Sequence, residues 1–151
     1  MKLKIKKMYP DVKLPVYATE GAACFDIHAH LSWLGDERTI SNGDSVIIDT
    51  GLQMEIPKGY VLKVYSRSGH GFKNNVRLSN CVGIIDSDYR GELKVSLIAD
   101  FNYGAEPLVI KHGDRIAQAM LVKTTKVEFE VVDKLGSTKR GKGGFGSTGV
   151  K

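Results

Sequence analysis

Four short segments of this chain stand out for residue types that could do chemistry, and two of them suit phosphate oxygens. In Tyr65-Ser66-Arg67-Ser68-Gly69 a strand runs into hydroxyls, a guanidinium and a glycine. A planar fork of donors, small hydroxyls and open backbone N–H groups matches phosphate oxygens. Taken alone, the segment is equally well a strand end with a surface arginine. The second segment is Val82-Gly83-Ile84-Ile85-Asp86-Ser87-Asp88-Tyr89-Arg90-Gly91-Glu92. It reads as a hairpin whose acidic tip lies beside an aromatic ring, with Gly91 closing the turn before the next strand. For an isolated Asp-x-Asp, a solvated turn is the simpler account.

The third segment, Gly113-Asp114-Arg115-Ile116-Ala117-Gln118, is a turn followed by a buried-looking strand carrying Arg115 and Gln118. An Asp114–Arg115 ion pair closing a hairpin is its expected role. The fourth is the tail, Arg140-Gly141-Lys142-Gly143-Gly144-Phe145-Gly146-Ser147-Thr148-Gly149. It departs from the P-loop pattern, because no Gly-Lys-Ser/Thr triplet opens a helix. One Phe among glycines, flanked by Arg and by Ser-Thr, suits an arm that closes over a flat base while Arg140 and the hydroxyls meet phosphate.

Short strands must position these segments. Leu52, Met54 and Ile56 alternate with polar residues, as do Leu93, Val95 and Leu97, and again Val127, Phe129 and Val131. Period two puts such side chains on one face of a strand. Residues 45–49, 60–66 and 115–122 also read as strands, the last as one buried on both faces. The basic segment 1–7 reads as a half-exposed first strand, and the best helix candidate, 69–75, is one or two turns. Turn chemistry recurs at Asn42-Gly43-Asp44, Pro57-Lys58-Gly59, Asn102-Tyr103-Gly104 and His112-Gly113-Asp114. The pattern predicts an all-β barrel or sandwich of the jelly-roll kind. Residues 1–134 form the β domain, and 135–151, too rich in Gly, Ser, Thr, Lys and Arg for a core, form a mobile C-terminal arm.

The chain's 151 residues fit one domain. A formal charge of +5 suggests an anionic partner, a nucleotide triphosphate or nucleic acid, though a solvated basic surface meets the number as well. The interleaved aromatic and basic pattern of a stacking platform for nucleic acid is missing. No apolar run is long enough to cross a bilayer. Cys24 and Cys81 lack metal-type spacing and read as reduced, buried thiols, which suggests a cytoplasmic setting. His28 and His30 form an i, i+2 pair with no third metal ligand nearby in sequence, so two ordinary strand histidines are expected. The stretch 30–44, which holds the only Trp, Trp33, reads as a surface loop.

In this order the four segments resemble the motifs of the trimeric dUTPase family, and the likeness runs from Ala22 to Gly149. Ala22-Ala23-Cys24-Phe25-Asp26-Ile27-His28-Ala29 resembles that family's first motif, and Asp49-Thr50-Gly51-Leu52 and Ile56-Pro57-Lys58-Gly59-Tyr60 match its connecting strands. The resemblance implies a jelly-roll-like (β-clip) fold and a homotrimer whose three active sites are each built from all three subunits. It implies hydrolysis of dUTP to dUMP and pyrophosphate, by in-line attack of water on the α-phosphorus with Mg²⁺. Asp86 would be the general base, and Tyr89 would stack beneath the deoxyribose and exclude a 2′-hydroxyl. Asn80 and the backbone of Val82, Gly83 and Ile84 would bond the uracil edge. Arg67, Ser68, Gly69 and Gln118 would hold phosphates. Arg140, Ser147 and Thr148 would reach the γ-phosphate, Gly146 would also bind the substrate, and Phe145 would cover the uracil. Asp26 would touch the hydration shell of Mg²⁺, which keeps several waters by habit.

The chain departs from the family at Cys24, where Gly is usual, at Ser66 in place of Pro, and at His70-Gly71 in place of an apolar-Ala pair. None of these removes a residue given a chemical role. Two rival readings share the fold: a dCTP deaminase, and a non-enzymatic trimer whose nucleotide site switches binding of a protein partner. The Ile-Asp-Ser-Asp-Tyr-Arg-Gly-Glu pattern favours water activation at phosphorus over deamination.

Overall fold

A computed structural model describes residues 1–31, 35–102, 104, 106–145, 147 and 149. Its elements are, in order, β1 (Lys4–Lys7), β2 (Phe25–His28), β3 (Glu37–Ile40), β4 (Ser45–Glu55), β5 (Tyr60–Tyr65), α1 (Ser68–Asn74), β6 (Val76–Leu78), β7 (Val82–Ile85), β8 (Glu92–Ala99), β9 (Leu108–Lys111) and β10 (Arg115–Lys123). One sheet runs β1-β4-β8-β6 and a second β2-β10-β5-β7, while β3 and β9 form a two-stranded ribbon. All these pairings are antiparallel. The fold is all-β and jelly-roll-like, as expected.

Alternation places the core. On β8, Leu93, Val95, Leu97 and Ala99 are buried while Lys94 is exposed. They meet Ile48, Leu52 and Met54 of β4 and, from the second sheet, Ile27, Leu62, Val64, Ile116, Ala117 and Ala119. A side chain of the Val, Leu or Ile class contributes about 1.5–3 kcal/mol by such burial.

The two patterned runs at 45–49 and 52–56 join into the single strand β4. The register against β8 shifts between Asp49 and Gln53, and Gly51 sits in that irregularity at φ 66°. A Cβ at Gly51 would overlap a methyl of buried Val12 and press on His30 at 3.4 Å. Gly51→Ala is therefore expected to destabilise the fold by about 1–3 kcal/mol, through strain at positive φ and overpacking. Urea denaturation measures it.

Several expectations need correction. Strand β10 is buried on both faces only in part: Ile116, Ala117 and Ala119 are buried, but Met120 and Leu121 line an open apolar groove beside Met1, Leu3 and Ile5. Residues 127–131 form no strand; Val127, Phe129 and Val131 are exposed and lie outside both sheets. The stretch 30–44 is more than a loop, since it contains β3; Trp33 lies outside the described residues. Both thiols are free, yet neither is fully buried. Cys24 is half-buried, and Cys81, at φ 62° in the turn between β6 and β7, is exposed. Burial, and next Asp26, push the Cys24 thiol above its ordinary pKa.

Candidate active site

The acidic segment is not a hairpin. Strand β7 pairs with β5, whereas β8 pairs with β4 and β6 in the other sheet. Residues 86–91 thus carry the chain round a corner between the two sheets. Alternation fixes which face of a strand is buried, but it does not name the neighbour, and this allowed the misreading.

At that corner Tyr89 N–H bonds back to the Asp86 carbonyl at 3.3 Å. Nη1 of Arg90 donates to the carbonyls of Ser87 and Tyr89, at 2.8 Å each. The Tyr89 hydroxyl donates to the Glu92 carbonyl at 2.9 Å, which lays its ring over Gly91, where any Cβ would strike it. Asp86 remains exposed. It edges a pocket of about 270 Å³ lined by Ile84, Ile85, Tyr89, Glu92, Leu93 and Lys94. The pocket has an apolar wall, an aromatic ring and one solvent-facing carboxylate. That combination suits a flat or sugar-like group beside a water molecule. Lys94 closes the rim, bonded to Asp49 at 2.8 Å and near Glu92 at 3.5 Å; the Asp49 bond chiefly raises its pKa.

Beside this corner, Gly83 is buried on β7 opposite Val64, whose Cβ lies 3.1 Å from where a side chain would begin. Asn80 is exposed in the preceding turn, and its carbonyl accepts from Val82 N–H at 2.6 Å. Val82 and Ile84 point outward on the same strand, so this stretch offers backbone edge and apolar side chains together.

A second group of residues forms a cationic cluster. Asp26, buried on β2, accepts from Arg67 Nε at 3.1 Å through one oxygen and from Arg115 Nη1 at 3.2 Å through the other. One carboxylate between two guanidiniums leaves the cluster a net single positive charge. Arg67 also donates to the Arg115 carbonyl at 3.3 Å, as does His70 Nε2 at 2.9 Å. Gln118 Nε2 donates to the Ser66 carbonyl at 2.9 Å, fixing the end of β5. Ser66, Arg67, Ser68, Gly71, Phe72 and Gln118 line a cleft of about 390 Å³; Gly69 is exposed in the first turn of α1. The expected Asp114–Arg115 pair is absent among the described residues. Asp114 instead accepts from Lys111 N–H at 2.8 Å within its turn, and Arg115 turns to Asp26. The reach to Asp26 joins residues 89 positions apart, which local spacing could not reveal.

His28, next but one to Asp26, is 9% exposed, and its Nδ1 has no hydrogen-bond partner. Burial, followed by the nearby charge of Lys13, lowers its pKa below the ordinary 6.5. The unfolded chain therefore takes up this proton before the folded one does. The contribution of neutral His28 to stability is fully present above the ordinary 6.5 and is lost as pH falls toward the lowered value of the folded state. The urea midpoint is expected to drop between about pH 7 and about pH 5, with a shallower drop in His28→Gln.

The third group lies on the tail. Arg140 Nε donates to the Gly143 carbonyl at 2.9 Å, and successive turns are closed by Gly141 N–H to Thr138 O and by Ser147 N–H to Gly144 O. Phe145 is fully exposed at φ 48°. Gly146 and Thr148 lie outside the described residues.

The single chain thus unites Asp86, Tyr89 and Ile84 in one pocket and Arg67, Ser68 and Gln118 in another, with Arg140 and Phe145 exposed on the tail. The sequence reading missed Glu92 and Lys94 as pocket walls and Arg115 as the second guanidinium. The spacing of Lys94 from Glu92, i and i+2 on one strand face, was the available signal for the first two.

A sequence profile of the dUTPase family matches residues 11–149. The chain is 44% identical over 149 residues to the deoxyuridine 5′-triphosphate nucleotidohydrolase of Nautilia profundicola, covering 99% of both proteins. It is 48% identical over 153 residues to that of Desulfitobacterium hafniense, covering 99% of this chain and 97% of the relative. Its fold superposes with TM-score 0.81 on the dUTPase of Staphylococcus bacteriophage 80alpha solved with dUpNHpp, at 25% identity and 99% coverage of both chains. It also superposes with TM-score 0.74, at 20% identity, on a variant phage phi11 dUTPase studied for its structural Mg(II) ion, covering 89% of this chain and 98% of that one.

Proposed function

This chain belongs to the dUTPase family, and from that premise we propose how its own residues turn dUTP over. The reaction is attack of water on the α-phosphorus. An O–P bond forms, the bond to the bridging oxygen breaks, and pyrophosphate leaves while dUMP remains. The observation that carries this reading is Asp86, solvent-facing on the rim of the Tyr89 pocket. As general base it accepts the proton of the attacking water, and the corner that fixes it provides the orientation such a base needs.

The ring of Tyr89, pinned through its hydroxyl, lies against the deoxyribose and leaves no space for a 2′-hydroxyl. Asn80 and the backbone of Val82, Gly83 and Ile84 meet the uracil edge. Buried donors and acceptors left unpaired by cytosine penalise it, by up to about 10⁴-fold. Arg67, Ser68, Gly69 and Gln118 bind the phosphates, with Asp26 holding Arg67 in position. Arg140, Gly146, Ser147 and Thr148 reach the γ-phosphate, and Phe145 covers the base.

The residues present fit Mg²⁺ in a limited way. Both oxygens of Asp26 already serve guanidiniums, so this carboxylate suits the ion's hydration shell better than direct ligation. A divalent cation beside Arg67 and Arg115 needs the substrate's own negative charge. Bound with the triphosphate, Mg²⁺ supplies neutralisation of phosphate charge.

The Asp86 pocket and the Arg67 cleft are separate in one chain, and the described residues of the tail are nearly all exposed. Both features support a homotrimer in which neighbouring copies complete each site, with residues 135–151 as the closing arm. No helix among the described residues is long and apolar enough to cross a membrane. We place the enzyme in the cytoplasm, where it keeps uracil out of DNA and supplies dUMP for dTMP synthesis. Pyrophosphate release from dUTP, dCTP, dTTP and UTP with Mg²⁺ tests the assignment. Turnover confined to dUTP is expected; uracil-containing product from dCTP would overturn it in favour of a deaminase, and tight dUTP binding without turnover in favour of a switch.

A further inference from the structure

His30 does have additional ligand-type neighbours, from two other parts of the chain. Its Nε2 lies 3.2 Å from Asp11 Oδ1, and His112 Nε2 lies 3.8 Å from Asp11 Oδ2. One ligand atom from each of the three residues lies within 4.8 Å of the others. We propose that Asp11, His30 and His112 bind a zinc-class divalent cation, separate from the nucleotide site.

Geometry and donor chemistry carry the assignment. Metal–ligand bonds of about 2.0–2.1 Å in a tetrahedron put neighbouring ligand atoms ~3.4 Å apart; His30 Nε2 and Asp11 Oδ1 already stand near that spacing at 3.2 Å, and His112 Nε2 faces the other carboxylate oxygen at 3.8 Å. Two imidazoles and one carboxylate select zinc, cobalt, nickel or copper over magnesium or calcium, which prefer oxygen. The site is anchored on one side and open on the other. The His30 side chain is 1% exposed, stacked on Tyr9 at 4.8 Å, while Asp11 is 48% and His112 26% exposed. A cation can enter past Asp11 and keep water as a fourth ligand.

Binding has a local consequence. His112 Nδ1 accepts from Leu31 N–H at 3.2 Å, so the neutral ring carries its proton on Nε2, facing Asp11. A cation on Nε2 moves that proton to Nδ1, and Leu31 N–H must release its acceptor. The cation is thereby coupled to the backbone at the start of the connection into β3.

Cobalt(II) titration of the full-length protein, stripped of metal with EDTA, tests the site. The expected result is one ion per chain with the visible absorption of tetrahedral cobalt, competed by Zn²⁺ and not by Mg²⁺. The two accessible ligands permit variants that leave buried His30 in place. Asp11→Asn and His112→Gln should each weaken binding by about tenfold or more. In the parent, the Leu31 amide resonance should shift on metal addition. Absence of saturable binding at one ion per chain, or binding of unchanged strength in both variants, would overturn the assignment.

Discussion

Asp86→Asn is expected to lower kcat by about 10²–10⁴-fold, the range a positioned general base supplies. The amide keeps the shape of the side chain but cannot take a proton from water. Because Asp86 is exposed and its carbonyl, not its carboxylate, closes the turn to Tyr89, stability should change by less than about 0.5 kcal/mol. KM for dUTP should move little, since the carboxylate acts on water and not on the nucleotide. Steady-state kinetics beside thermal unfolding separate these effects. A variant that folds and binds as before yet turns over within a few-fold of the parent would remove Asp86 from the base's role.

Ending the chain after Leu135 should produce the second largest loss, about 10²-fold in kcat/KM, because the reacting groups would stay open to water and lose Arg140 and Phe145. The described residues beyond Leu135 are nearly all exposed, so their removal takes little from the core. The melting temperature is therefore expected to hold. Phe145→Ala alone should fall between parent and truncation, because it removes the cover over the base and spares the contact of Arg140. Retained kcat/KM in the truncated chain would exclude the arm from the site.

The strands were legible where polar and apolar residues alternate against a partner. Leu93, Val95 and Leu97 announced β8, and the short helix was displaced by only one residue, from 69–75 to Ser68–Asn74. The same alternation at Val127, Phe129 and Val131 misled, since these residues are exposed and belong to no strand. What could not be read locally was pairing. Asp114 was matched to its neighbour Arg115, although the fold gives that arginine to Asp26 across 89 positions. The neighbours of His30, Asp11 and His112, likewise come from distant parts of the chain. Chemistry confined to one turn, such as Asp86 with Tyr89, was visible in order of residues; chemistry assembled by strand neighbours was not.

The bridge at Asp26 also has a kinetic meaning. Its two arginines stand on segments that meet only when β2 pairs with β10 and β10 with β5. Closing such long loops is entropically costly and characteristic of slowly folding β topologies. The cationic wall therefore exists only once the second sheet has closed, and it depends on β10, whose Ile116, Ala117 and Ala119 also complete the shared core. A chain opened along β10 would part Arg115 from Asp26 and strip Ile116, Ala117 and Ala119 from the core in the same event.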